Sequence, residues 1–304
     1  MSGVDVLGIG VSTVDILSIV DHFPTQREVQ RAADMTIQGG GPVATAMVTL
    51  ARLGARTAML DCVGDDWRGN IILEEFHKEQ VLTDYIKVVD GHTSSTACIL
   101  VSAADGSRAI VYSPGTAPEL TAGDIDRHII EDARILHING RHPDACEQAI
   151  KWGRGANRPI SFDGGAGRFR PEMKRLVPLT DICIVASDFA EKYTEQADIE
   201  AAGKALLDSG PKLVVITDGL NGSWIFSKGE PSFVQKAYPF PRTIDSTGCG
   251  DSYHGAFLYG IINKLSLRQT ASVASAVAAM NSQFLGGRRG LPTLDNVELF
   301  LQIN

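Results

Sequence analysis

The chain has 304 residues, 44% hydrophobic and 21% charged, the balance of a globular protein whose core needs no metal or disulfide staples. A formal net charge of −8 argues against nucleic acid or an anionic membrane as a partner, because both demand a basic face. The five cysteines (Cys62, Cys98, Cys146, Cys183, Cys249) are scattered and odd in number, as expected for reduced thiols in a cytoplasmic protein, and the seven histidines show no zinc-type spacing.

Taken in chain order, short apolar runs predict strands over Val4–Gly10, Arg56–Cys62, Ala133–Ile138, Pro159–Phe162, Ile182–Ala186 and Lys212–Thr217. Asp5 interrupts the first of these runs, so no secretory leader is expected there. Helical periodicity between the runs predicts helices over Pro42–Leu53, Trp67–Glu79, Pro143–Trp152 and Ile199–Ser209. After Gly250 the pattern is mainly helical: Asp251–Asn263, Leu267–Leu285 and Leu294–Leu301. Near-continuous apolar strands alternating with helices indicate an α/β fold, with a mostly parallel sheet covered on both faces. The uncharged run Gln269–Gly287 carries Ser272, Ser275, Asn281, Ser282 and Gln283 and reads as a buried helix rather than a membrane span.

Two segments, about 14–37 and 92–112, alternate apolar and polar residues around turns such as Ala104-Asp105-Gly106. They read as antiparallel strands with one wet face, either a small β lid or plain surface hairpins. With no internal repeat and no Pro/Gly/Ser linker, residues 1–304 are expected to form one domain with the lid segments inserted.

The strongest chemical signal is Asp245-Ser246-Thr247-Gly248-Cys249-Gly250-Asp251, just before an apolar helix. Small residues let backbone approach a ligand, and a helix N-terminus offers free N–H groups to phosphate. Asp251, in the first turn, either caps the helix or removes a proton from an alcohol attacking phosphorus. Gly8-Ile9-Gly10-Val11-Ser12-Thr13 begins like a dinucleotide fingerprint, but Thr13 holds the third glycine position. Val14–Ile19 then alternates like a strand, so hydride transfer lacks its structural context.

These residues resemble the PfkB, or ribokinase-like, sugar kinases. The family's C-terminal signature, close to D-T-x-G-A-G-D, is matched by Asp245 to Asp251. Its N-terminal signature, a double glycine opening a helix that ends Arg-Leu-Gly, is matched by Gly40-Gly41-Pro42 running to Arg52-Leu53-Gly54. The resemblance implies a ribokinase-like fold and an ATP-dependent carbohydrate kinase, with Asp251 as base and the amides of Gly248, Cys249 and Gly250 as anion hole. It implies acceptor contacts at Asp15, Gly40, Gly41 and Thr45, and ATP contacts at Ser187, Thr217, Gly219, Gly222 and Asn281. Mg2+ is implied as a cofactor, with a monovalent cation (K+) left open, and a homodimer through the lid is expected.

The chain departs from the family pattern chiefly at the acceptor site. Thr45 stands where many members have Asn, and Pro42 where ribokinase and ketohexokinase have a polar residue. The usual Asn-x-x-Glu motif is replaced around Ser187-Asp188-Phe189-Ala190-Glu191, leaving Asp188 and Glu191 as the metal candidates. Gly39 to Ala46 and Gly286 to Pro292 resemble bacterial sulfofructose kinases, whereas Gly106-Ser107-Arg108 and His137-Ile138-Asn139-Gly140-Arg141 resemble ketohexokinase segments. Arg108 and Arg141 are therefore candidates for binding an anionic acceptor group, or are surface charges. Asp163-Gly164-Gly165-Ala166-Gly167-Arg168 either borders the acceptor pocket or is a flexible loop, and His254 either touches the site or packs. A nucleoside kinase of the same fold and a non-catalytic sugar- or nucleotide-binding regulator are the alternatives. Neither a nucleic acid nor a membrane is expected as a partner.

Overall fold

The apolar runs become strands, and the computed structural model describes residues 3–304. In chain order the strands are β1 (Val6–Ile9), β2 (Thr13–Val20), β3 (Asp34–Gly40), β4 (Thr57–Gly64), β5 (Ile86–Val89), β6 (Ser95–Ser102), β7 (Arg108–Ser113), β8 (Ile135–Ile138), β9 (Ile160–Gly164), β10 (Ile182–Ala186), β11 (Leu213–Thr217), β12 (Ser223–Ser227) and β13 (Phe233–Gln235). The α-helices are α1 (Pro42–Arg52), α2 (Trp67–Lys78), α3 (Arg127–Asp132), α4 (Pro143–Gly155), α5 (Met173–Leu176), α6 (Ser187–Thr194), α7 (Ile199–Ser209), α8 (Cys249–Ile262), α9 (Leu267–Asn281) and α10 (Leu294–Ile303).

The large sheet has the order β13-β12-β11-β10-β9-β8-β1-β4-β5. It is parallel from β5 to β11, and β12 and β13 extend it antiparallel. The sequence pattern did not show β5, β12 or β13. They lie at the two ends of the sheet, where strands of partly exposed residues lack the continuous apolar run that marked the central ones. One face of the sheet carries an apolar cluster that includes Val43, Met47, Phe76, Phe257 and Val277; the other carries Ile130, Ile150, Phe162, Phe189 and Leu206. This is the two-sided cover that fully apolar parallel strands require.

Gly8 shows why the false fingerprint is glycine-rich. A Cβ there would lie 2.7 Å from Val43 Cγ1 and 2.8 Å from Met47 Cγ, so glycine admits close packing of α1 on β1. The uncharged run becomes α9, packed against α8, and no described helix is long and apolar enough to cross a membrane. It stops at Asn281, short of the predicted Leu285, and the Asn281 side chain donates to the Gly287 carbonyl at 2.9 Å. All five cysteines are free.

The second sheet has the order β3-β2-β6-β7. Its outer pairs are antiparallel, as expected, but β2 and β6 run parallel, which corrects the all-antiparallel expectation. The reason is connectivity: β2 and β6 are joined through β3, α1, β4, α2 and β5 rather than by a hairpin. Register then separates two faces. Asp15, Gln38, Ala97 and Tyr112 stand across from one another on one face, and Ile16, Ile37, Cys98 and Val111 on the other.

Candidate active site

The carboxyl ends of β1, β8, β9, β10 and β11 open into a cleft of about 780 Å³ whose lining includes Val11, Asn139, Gly165, Ser187 and Asp218. An open α/β sheet places ligands at this end because helix N-termini and free loops converge there. Asp15, Ala97, Ile99, Ile110 and Tyr112 of the small sheet roof the cleft.

The N-terminus of α8 forms part of its floor. Asp245, fully buried, staples the preceding loop: Oδ1 accepts the Thr247 N–H at 2.7 Å and Oδ2 accepts the Gly286 N–H at 2.8 Å. Gly248 is the N-cap at φ 71°, and a Cβ there would sit 2.5 Å from Gly287 Cα, so the position requires glycine. The Cys249 N–H makes a long 3.4 Å bond to the Ser246 carbonyl. Among the described residues, the amides of Gly248, Gly250 and Asp251 have no protein acceptor, as the first turn of a helix dictates. A Cβ on Gly250 would meet nothing within 4 Å, so the cleft is open there. Burial pushes the Cys249 thiol up to about 12, which keeps it protonated at neutral pH.

Asp251 occupies the first turn of α8 with its side chain 17% exposed, enough to meet a ligand. Arg168 Nη1 lies 3.4 Å from Asp251 Oδ1. Behind them Asp163 is fully buried at the end of β9, its carboxyl raised to about 6 by burial, with Arg168 opposing the rise. Burial likewise lowers His254 to about 4, so its ring is neutral at physiological pH.

Asp15 faces this floor from the roof. The Thr13 hydroxyl donates to Asp15 Oδ1 at 2.6 Å. Burial raises the Asp15 carboxyl to about 6, with the Asp251 charge adding to the rise; the Thr13 bond, Arg288 and Arg168 oppose it. Gly40 serves Asp15 rather than lining the cleft, since a Cβ there would lie 2.0 Å from Asp15 Oδ2. Gly41 does line it, at φ 93°, where a Cβ would meet the Val11 carbonyl at 2.3 Å.

Sequence reasoning missed the role of Arg288, which is 4% exposed. Its guanidinium donates to the Gly40 carbonyl at 2.8 Å and to Thr45 Oγ1 at 3.2 Å, and meets Glu75 Oε2 at 3.3 Å. Thr45 lines the cleft, but its hydroxyl is already engaged by this arginine. The Gly-Gly-Arg-Arg-Gly run was visible as a motif, but its distance in sequence from Gly40 hid the contact.

Arg108 and Arg141 both reach the cleft, joined by Arg168 and Arg170. Arg108 donates to Ser246 Oγ at 2.8 Å, Arg141 to the Tyr112 hydroxyl at 3.3 Å, and Arg170 to the Gly140 carbonyl at 3.3 Å. On the opposite side stand Ser187, Asp188, Thr217 and Gly219. The Ser187 hydroxyl donates to Asp218 Oδ1 at 2.7 Å. Besides Gly40, three expected contacts are not brought to the cleft. Glu191 lines a separate recess, and Gly222 closes the β11–β12 turn, where a Cβ would sit 2.1 Å from the Gln235 carbonyl. Asn281, fully buried, tethers the Gly287 loop instead.

The sequence matches the family described as pfkB family carbohydrate kinase over residues 4–294. The chain belongs to this family. It is thereby a sugar kinase, as its paired signatures implied. A ribokinase of Mus musculus is 29% identical to it, with 97% of this chain and 94% of that protein covered. A nucleoside kinase of Methanothermobacter thermautotrophicus is 26% identical over 95% of this chain and 92% of that protein. The structure of Arabidopsis thaliana ribokinase complexed with ribose and ATP superposes with a TM-score of 0.85 at 23% identity, covering 99% of this chain and 100% of that one. The fold is therefore ribokinase-like, and this pfkB kinase has the large sheet and small sheet expected of it.

Proposed function

We propose that this pfkB kinase transfers the γ-phosphoryl group of ATP to a hydroxyl of a small sugar-derived acceptor bearing an anionic group, with Asp251 as general base. The observation that carries this reading is the first turn of α8. There one partly exposed carboxylate and three unpartnered amides open into the cleft that also contains Asp15. Asp251 takes the acceptor proton as the oxygen attacks, and the amides of Gly248, Gly250 and Asp251 stabilise charge on the transferring group. Asp15 accepts a second acceptor hydroxyl, and Arg168 holds the Asp251 carboxylate.

ATP, when bound, supplies the phosphoryl group, and Mg2+ neutralises charge on its oxygens. Asp188 fits a hard cation. Its Oδ2 accepts the Gly167 N–H at 2.8 Å and faces Lys192 at 3.6 Å, while Oδ1 has no partner among the described residues. Glu191, in its separate recess, does not fit.

The anionic acceptor is supported by Arg108, Arg141 and Arg170. None of the three pairs with a carboxylate among the described residues, and Arg141 Nε is buried without a partner. A sulfonated or phosphorylated ketose would satisfy them. The nucleoside reading draws on Tyr112, an aromatic the fold brings to the cleft; its ring is faced by Arg141 at 5.9 Å.

The small sheet acts in this reading as a lid that excludes water from the phosphoryl group. Its outer face exposes Met35, Ile37 and Val111 at 62%, 52% and 74%, an apolar surface that a second copy of the chain covers. Ile37→Lys with Val111→Lys should yield a monomer by sedimentation, whereas an unchanged oligomer would remove the lid from the interface.

The deciding experiment measures ADP release over sulfonated and phosphorylated ketoses, neutral sugars and nucleosides, in KCl and in choline chloride. Asp251→Asn should lower kcat by about 10²- to 10⁴-fold and leave ATP binding intact. Near wild-type turnover in that variant would sink the assignment of the base. Arg141→Gln should raise KM for anionic acceptors selectively.

A further inference from the structure

Beneath the cleft, three side chains distant in sequence come together: His137 on β8, Asp163 on β9 and His254 on α8. All three are buried, and a ligand atom from each lies within 4.8 Å of the other two. Their polar atoms are poorly satisfied. Among the described residues, His137 Nε2, His254 Nδ1 and both Asp163 carboxylate oxygens have no partner of good hydrogen-bond geometry, the Gly165 N–H making only a weak approach to Asp163, and His254 Nε2 stands 3.8 Å from Asp163 Oδ1, too far for a bond. Buried polar atoms are nearly always paired, and each orphan costs about 1–3 kcal/mol. Three buried residues that carry such atoms, and whose ligand atoms lie this close together, call for an occupant.

The donor set says which. Two imidazoles and one carboxylate with open positions suit a borderline divalent ion, whereas Mg2+ prefers oxygen ligands and retained water. A neutral imidazole offers one lone pair, so His137 and His254 can each supply one ligand atom. His137 Nδ1 lies 3.1 Å from Ser161 Oγ; with that proton donated to serine, Nε2 is the free nitrogen. Asp163 and His254 line the cleft, which gives an ion a way in. The charged groups that act on the cluster are Asp163 and Asp251 against Arg168, a balance that favours a cation. Ligand bonds of about 2.1 Å require the three side chains to close inward on the ion.

We propose that His137, Asp163 and His254 form a binding site for one divalent transition ion of the Zn2+ class, separate from the Mg2+ that accompanies the nucleotide. The ion joins β8, β9 and α8 and so stabilises the folded chain by mass action.

The test uses full-length protein stripped with a chelator and then titrated with Zn2+ or Co2+ alone. Zn2+ should bind at one ion per chain by calorimetry and raise the melting temperature in the presence of excess Mg2+. Co2+ should give visible d–d bands of nitrogen and oxygen ligation without a thiolate charge-transfer band. His254→Gln should lose this binding, and Ser161→Ala should weaken it about 10- to 100-fold. Failure of both ions to bind wild type overturns the proposal. So does a thiolate band, or binding unchanged in both variants. Should His254→Gln fail to fold, Ser161→Ala and the wild-type Co2+ spectrum decide.

Discussion

Asp15 carries a stability cost that can be worked from its surroundings and tested directly. Burial raises its carboxyl from 3.8 in the unfolded chain to about 6 in the folded one. For an acid whose folded pKa is raised, the ionised form is disfavoured by folding. The penalty is therefore complete above the folded value, shrinks as pH falls through it, and vanishes below the unfolded value. Linkage with these two values gives about 3 kcal/mol at pH 8, about 2 at pH 5.5 and about 1 at pH 4.5. Asp15→Asn removes the charge and keeps an oxygen for the Thr13 hydroxyl. The variant should be more stable than wild type by up to about 3 kcal/mol at pH 8, with the gain shrinking by roughly two-thirds at pH 4.5. Urea denaturation of the unliganded protein at the three pH values reads this, and acceptor KM in the variant should rise. A variant that is destabilised, or whose gain does not depend on pH, refutes the reasoning that burial of the charge dominates.

Two glycines on either side of Cys249 should behave differently. Gly248→Ala places a Cβ against the Gly287 backbone at positive φ, so the protein should lose stability as well as activity. Gly250→Ala meets no protein atom within 4 Å and should keep its melting temperature, yet lose phosphoryl transfer because the methyl enters the anion seat. Equal melting losses in the two would contradict the geometry. Arg288→Met should cost about 1–3 kcal/mol, because the buried Gly40 carbonyl and Thr45 hydroxyl lose this donor, while Glu75 keeps the Gly39 N–H. Thermal unfolding, with acceptor KM as the second readout, checks that value.

What the sequence determined by itself was largely local. The apolar runs forced β1, β4, β8, β9, β10 and β11 into a doubly covered parallel sheet. Asp245 to Asp251 specified a helix N-terminus with a carboxylate in its first turn, and Gly41-Pro42 a helix start, because these depend on neighbours along the chain. Tertiary structure decided what depends on contacts between distant segments. The parallel pairing of β2 with β6 follows from a long connection that no local pattern encodes. Arg288 reaches Gly40, Thr45 and Glu75 only because the loop after α9 folds back over α1 and β3. The same distance explains why Asn281, plausible from its place near the C-terminal motif, is a buried tether. It also explains why histidines without metal-like spacing meet around Asp163: spacing along a chain reports a site only when one element supplies it, and this cluster draws on three.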